Sequence, residues 1–258
     1  MTAETDVVVI GAGAAGLAAG ARLKAAGVPF EIIEAAPVAG GRAATDTTTL
    51  GVPFDLGCHW LHDARHNPFT ALADAHGFRV GRSAVPRRRL LLGDRFSTDA
   101  EKDAADAEVD AIFDAIHAAG RAGRDVSAAA VIAERGAGRY DVLARHWLEL
   151  MSAAGPADIS AVDFALYRDT DDNWPVLDGY GALVLAVAGD LKVTLGCPVR
   201  RIDRRGRRLS IETERGAIAC RAAVVTVSTA VIAAGRLAFE TRRPPLWASL
   251  EIRGSRRN

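Results

Sequence analysis

A glycine fingerprint set between a strand and a helix constrains this chain more than any other feature. Val7-Val8-Val9-Ile10 is a continuous β-branched run, the pattern of a strand buried on both faces. Gly11-Ala12-Gly13-Ala14-Ala15-Gly16 follows at once. Residues 17–26 are mostly small and apolar and predict a helix, which Gly27 stops. Phe30-Glu31-Ile32-Ile33-Glu34 predicts a second strand. A Gly-x-Gly-x-x-Gly run after a strand and opening a helix is the context of a βαβ dinucleotide site. The first glycine permits the tight turn, the second lets a diphosphate approach the backbone, and the third lets helix and strand pack closely. The helix N-terminus then offers free N–H groups and a positive dipole end to that diphosphate. Glu34 ends the second strand. A carboxylate there accepts both ribose hydroxyls and repels a 2′-phosphate, which disfavours NADP.

The chain's 258 residues allow one large domain or two smaller ones. Hydrophobic residues at 49% and charged residues at 25% exclude a disordered or fibrous chain. The 32 basic and 32 acidic residues cancel, so no global charge favours nucleic acid or an anionic membrane. Cys58, Cys197 and Cys220 are too widely spaced for a CxxC metal site and form no disulfide framework, which suits a reducing compartment. No signal-peptide pattern opens the chain. The longest uncharged apolar stretch, residues 222–235, is shorter than the ~20 residues of a membrane span. These features predict a soluble cytoplasmic protein with no nucleic-acid or membrane partner.

The middle of the chain differs in character. Residues 68–77 predict a helix, and residues 89–96 a hairpin with Gly93-Asp94 in its turn. Helices dominate from about 99 to 155. Val109, Ile112, Phe113 and Ile116 repeat at helical spacing, as do Leu143, Trp147, Leu150 and Met151, with a break at 121–124. Strand patterns return after Asn173-Trp174-Pro175. A short helix at 183–191 precedes strands at 193–195, 199–203, 209–213 and 217–220, and a buried parallel strand at 223–227. The expected fold class is α/β: a doubly wound, Rossmann-like domain of residues 1–62 and 175–258, interrupted by a mostly helical insertion of residues 63–174.

Further motifs narrow the cofactor. Gly40-Gly41-Arg42, with Thr45 beyond, lets backbone pass close to a ligand and sets an arginine where it can meet a phosphate. Phe54-Asp55-Leu56-Gly57-Cys58-His59-Trp60-Leu61-His62 leads into Asn67-Pro68. Asp178-Gly179-Tyr180-Gly181-Ala182-Leu183 leads toward Val199-Arg200-Arg201-Ile202, and Ala223-Val224-Val225-Thr226-Val227-Ser228 closes the series. In this order the motifs resemble the flavin-dependent amine oxidase family, which includes monoamine and polyamine oxidases.

The resemblance implies bound FAD, with Gly11, Gly13, Ala14, Ala15, Gly16, Glu34, Gly41, Arg42, Gly57, Cys58, Trp60 and Val199 as cofactor-binding residues. It implies that Val199 meets the adenine through its backbone and that His62 faces the substrate as the catalytic residue. A neutral imidazole there accepts a hydrogen bond from an amine or a water. The implied chemistry is hydride transfer from an amine C–H to the flavin, with dioxygen as reoxidant. His59 and Cys58 depart from the small polar residues of the family pattern. The family's C-terminal elements do not follow Leu246, so a second chain supplying them is one expectation. A non-catalytic FAD-binding remnant and a CH–CH flavin oxidoreductase, such as a desaturase, stay open beside the amine oxidase. The arginines at 200, 201, 204, 205, 207 and 208 lack interleaved aromatics and are expected on a solvated turn. Asp169, Asp171 and Asp172 are expected on a solvated acidic loop.

Overall fold

The computed structural model describes residues 3–82, 89–167, 170 and 172–240. They divide into two compact units: residues 3–82 with 170 and 172–240, and residues 89–167. The expected acidic loop falls partly outside the described residues, as do Asp169, Asp171 and the tail beyond 240.

The first unit opens with β1 (Ala3–Glu4), β2 (Val7–Ile10), α1 (Ala14–Ala25) and β3 (Phe30–Ile33). It continues with β4 (Thr45–Asp46), β5 (Phe54–Asp55), β6 (Trp60–Leu61) and α2 (Pro68–Ala75). The second unit holds the hairpin β7 (Leu91–Leu92) and β8 (Arg95–Phe96), then α3 (Asp99–Arg121), α4 (Ala128–Arg135), α5 (Asp141–Ser152) and α6 (Ala161–Leu166). The chain returns to the first unit through β9 (Trp174–Pro175), α7 (Tyr180–Ala188), β10 (Val193–Thr194), β11 (Val199–Asp203) and β12 (Leu209–Thr213). It ends in β13 (Gly216–Cys220), β14 (Ala222–Val225), α8 (Thr229–Ala233) and β15 (Ala238–Glu240).

A four-stranded parallel sheet, ordered β10-β3-β2-β14, centres the first unit. Its alternation explains the β-branched run at β2. Val8 and Ile10 join Ile33, Ile202, Ile211 and Leu237 on one face, while Val9 joins Leu17, Ile32 and Val184 on the other. Both faces are covered, so Val8 and Val9 are fully buried. β14 pairs with β2 in parallel, but as the sheet's edge strand it is only partly buried and ends at Val225. The second sheet is a β11-β12-β13 meander, with β15 and β1 added in parallel at its edges. Four of the six expected turn arginines pair with carboxylates there: Arg200 with Glu214, Arg201 with Glu212 and Glu240, Arg205 with Asp203, and Arg208 with Glu4.

In the second unit Thr98 and Glu101 form a capping box that starts α3. The core gathers Ile112, Ile116, Ile132, Leu148 and Phe164. Gly120 lets α6 approach closely, since a Cβ there would lie 2.0 Å from the Ala161 carbonyl oxygen. The helix expected from the spacing of Leu143, Trp147, Leu150 and Met151 is α5; within it Ala144 and Leu148 are buried, Leu143 and Trp147 are half-buried, and Leu150 and Met151 are exposed. Among the described residues no helix is long and apolar enough to cross a membrane.

Candidate functional site

The three glycines of the fingerprint answer to different neighbours. Gly11 has φ +106°, and a Cβ on it would meet the Thr226 hydroxyl at 2.6 Å. That hydroxyl donates to the Ile10 carbonyl at 2.9 Å and so pins the turn to the end of β14. A Cβ on Gly16 would lie 1.8 Å from the Gly11 carbonyl oxygen, so packing of α1 on the turn demands glycine. Gly13 is different. Its nearest neighbour to an added Cβ is the Gly40 carbonyl oxygen at 3.9 Å, and its φ of −76° suits any residue. The fold itself therefore does not require glycine at 13.

Helix α1 begins at Ala14, earlier than the sequence pattern suggests, so Ala14, Ala15 and Gly16 form its first turn. Gly13 is its N-cap, no side chain caps it, and its first turn holds no acid. Among the described residues no carboxylate or hydroxyl accepts from the N–H groups of Ala14, Ala15 or Gly16. Glu34 lies just beyond β3. Its carboxylate accepts from the Ala12 N–H at 2.7 Å and from the Ala36 N–H at 2.8 Å, one on each oxygen. Each oxygen keeps a lone pair for a further donor. The Glu34 carbonyl accepts from Cys197 N–H at 2.9 Å, which brings the segment leading to the half-buried Val199 beside the same strand end.

The second glycine loop lies against the first. Gly40 N–H donates to the Ala12 carbonyl at 2.8 Å, and a Cβ on Gly41 would lie 3.3 Å from the Gly13 Cα. Arg42 is exposed, and its guanidinium makes no hydrogen bond or ion pair among the described residues. Its carbonyl accepts from Cys58 N–H at 3.1 Å, and a Cβ on Gly57 would sit 2.0 Å from the same oxygen. Glycine at 57 is thus set by contact with residue 42.

Asp55 organises this region, and the sequence pattern alone assigned it no role. Its side chain is 2% exposed. It accepts from Thr45 Oγ1 at 2.6 Å, Tyr180 N–H at 3.0 Å, His59 Nδ1 at 3.1 Å and Gly181 N–H at 3.3 Å. Thr45 Oγ1 in turn accepts from Ala182 N–H at 3.0 Å. Two side chains from β4 and β5 therefore cap α7, which has Gly179 at its own N-cap. A Cβ on Gly181 would fall 2.6 Å from Thr45 N, so the Gly-Tyr-Gly run serves close packing. Burial works to raise the Asp55 pKa, but the bonds from Thr45, Tyr180, His59 and Gly181 together hold it below the ordinary 3.8. The carboxylate is ionised at neutral pH. Partial loss of water, then the Asp55 charge, push the Cys58 thiol up, so Cys58 is a poor nucleophile.

Beyond Cys58, Trp60 is half-buried and lies in β6, paired with β9 opposite Pro175. His62 is exposed, and its Nδ1 lies 2.6 Å from Asn173 Oδ1. Facing an acceptor, Nδ1 carries the proton and leaves Nε2 as an acceptor in the neutral ring. Asn67 holds the loop by donating to the His62 carbonyl at 3.0 Å, while its own carbonyl accepts from Phe69 N–H and caps α2. Asn173 had no sequence signal, because it sits 111 residues from its partner.

A family model described as flavin containing amine oxidoreductase matches residues 14–170 and 154–256. Polyamine oxidase 4 of Oryza sativa subsp. japonica is 26% identical over 274 residues, covering 96% of this chain and 56% of that protein. Polyamine oxidase 3 of the same organism is 27% identical over 283 residues, with the same coverage. The chain thus spans little more than half the length of these relatives. A solved structure of putrescine oxidase, wild type bound to putrescine, superposes with a TM-score of 0.62 at 22% identity, covering 93% of this chain and 61% of that one. That likeness concerns the fold.

Proposed function

As the chain belongs to the flavin-containing amine oxidoreductase family, we propose that its first unit holds FAD and that the protein serves the oxidation of an amine. Gly13 carries the reading: glycine that the fold does not need, heading a helix whose opening N–H groups meet no side-chain acceptor among the described residues. Space beside a bare helix N-terminus fits a diphosphate. The α1 N–H groups of Ala14, Ala15 and Gly16 would hold it, with Gly11 shaping the turn and the free Arg42 guanidinium adding charge. Glu34 would accept the ribose hydroxyls, and Val199 would meet the adenine through its backbone. Gly41, Gly57, Cys58 and Trp60 would line the path toward the ring.

When bound, FAD supplies the acceptor for a hydride from the carbon beside an amine nitrogen, with dioxygen as reoxidant. His62 is assigned to the substrate side. Its Nε2 accepts a hydrogen bond from the neutral amine or a water, and Asn173 keeps the proton on Nδ1. The helical segment is assigned to the substrate domain, and the three free thiols suit a reducing, cytoplasmic setting.

Calorimetric titration with FAD and with NADP tests the cofactor. FAD binds and NADP binds more weakly or not at all; tighter NADP binding overturns the reading. Peroxide release from FAD-saturated protein, measured over a panel of mono-, di- and polyamines, tests the reaction separately. FAD binding without peroxide from any amine would leave a flavin-binding module and remove the oxidase.

A further inference from the structure

The helical unit carries a cavity that the candidate cofactor site does not use. It measures about 430 Å³, within the ~300–1,000 Å³ of small-molecule sites. It lies where the end of α5, the 3₁₀ turn Pro156–Asp158 and the short α6 meet. Among the described residues all of its lining comes from 151–167. Ile159 and Phe164 are buried, whereas Met151 and Tyr167 stand 41% and 45% exposed, so the apolar wall continues to an open mouth.

Among the described residues the charge on this cavity has one sign: the exposed Asp158 and Asp163 line it, and no lysine, arginine or histidine does. Neither carboxylate has a cationic partner among the described residues. The Ser160 hydroxyl is already used: it donates to Asp125 at 2.6 Å and accepts from Asp163 N–H at 3.2 Å. Two carboxylates without a counter-ion attract a cation and repel an anion. The aromatic side chains Phe164 and Tyr167 line the same cavity, and an aromatic wall suits an ammonium group. Ile159, Phe164 and Met151 reward an apolar body that follows the charge into the cavity. A bare metal ion would gain nothing from that wall, and a neutral apolar molecule would gain nothing from the carboxylates.

We infer that this cavity binds an organic ammonium ion with a compact aliphatic or aromatic body. The inference does not rest on the flavin reading, because no residue of the cofactor site takes part.

The chain has two methionines, Met1 and Met151, so a [¹³C-methyl]methionine label places a single internal probe on the cavity wall. The full chain is titrated at pH 7 with cyclohexylammonium and, in parallel, with cyclohexanol of nearly the same shape. The Met151 resonance shifts saturably with the ammonium ion, and the alcohol binds at least ~5-fold more weakly. Asp158→Asn together with Asp163→Asn weakens the ammonium ion about tenfold and leaves the alcohol unchanged. An unshifted Met151 resonance in the ligand-free variant shows that its fold is intact. The response is the same with and without FAD, which separates this cavity from any amine site at the flavin. Equal response to the alcohol, no effect of the double variant, or no shift at tens of millimolar overturns the inference.

Discussion

Two helices of the first unit begin on glycine, and they treat their N-termini in opposite ways. Helix α7 starts after Gly179, and its first three N–H groups are taken by Asp55 and Thr45. Helix α1 starts after Gly13, and among the described residues no side chain accepts from its opening N–H groups. Both ends carry the same orphan donors and the same partial positive charge. One is closed by a carboxylate from the chain's own distant strand, and the other is where the proposed diphosphate would sit. A glycine N-cap therefore has no single meaning. What separates the two is whether a described side chain accepts from the first-turn N–H groups themselves.

The largest expected effect breaks the closed end. Asp55→Ala leaves the Tyr180 and Gly181 donors and the Thr45 hydroxyl without their acceptor, and should lower stability by about 3–5 kcal/mol in urea unfolding. A loss under about 1 kcal/mol would mean that water replaces the carboxylate and that the two ends differ less than their geometry indicates.

Gly13→Asp converts the open end toward the closed kind. Its extended φ and free Cβ direction accommodate the side chain, which caps α1 and adds a few tenths of a kcal/mol to stability. The same carboxylate opposes the diphosphate, so FAD affinity should fall by about 2–4 kcal/mol, or ~30-fold and upward, by calorimetry. Stability and FAD affinity moving in opposite directions is the signature; a parallel fall in both would point to plain disruption of the turn.

Glu34→Ala sharpens the comparison at smaller scale. It should weaken FAD by about 1–3 kcal/mol and also cost stability, since Ala12 and Ala36 lose their acceptor. Unchanged FAD affinity would remove Glu34 from the ribose.

Acid distinguishes the ends last. Asp55 is more acidic in the folded chain than its ordinary 3.8, so the unfolded chain takes up this proton first as pH falls. The stability from Asp55 is whole above about pH 5 and is lost as pH drops through 3.8 toward the folded value. The stability gap between wild type and Asp55→Asn should narrow over that window. A gap that does not change with pH would show that Asp55 is not the carboxylate closing α7.

The contrast also marks how far sequence reading reached. The βαβ opening is legible because its parts are adjacent: strand, glycines, helix and strand follow one another within residues 7–34. The cap on α7 joins residues 125–137 apart, and no local pattern carries it. Asp55 stood inside a quoted motif, yet its role depends on a helix that begins in another part of the chain. On α5 the helical spacing of Leu143, Trp147, Leu150 and Met151 gives the helix but not its depth, since Ala144 and Leu148 are the residues fully buried on it. The edge strands β1 and β15 are too short to announce themselves, and tertiary pairing alone defines them.

The parallel sheet has a consequence for the order in which the polypeptide is made. β2 is flanked by β3, which follows after one helix, and by β14, which pairs Val225 with Ile10 across more than two hundred residues. Closing so long a loop is slow and must precede its reward. The helices of the second unit contact one another within residues 99–166, so they can pack while the ribosome is still adding the strands that follow. Until residue 222 emerges, one side of Val7–Ile10 is an apolar strand edge with unpaired N–H and C=O groups. A stalled or truncated translation product would present that edge, and chaperones or neighbouring nascent chains would meet it before any nucleotide could.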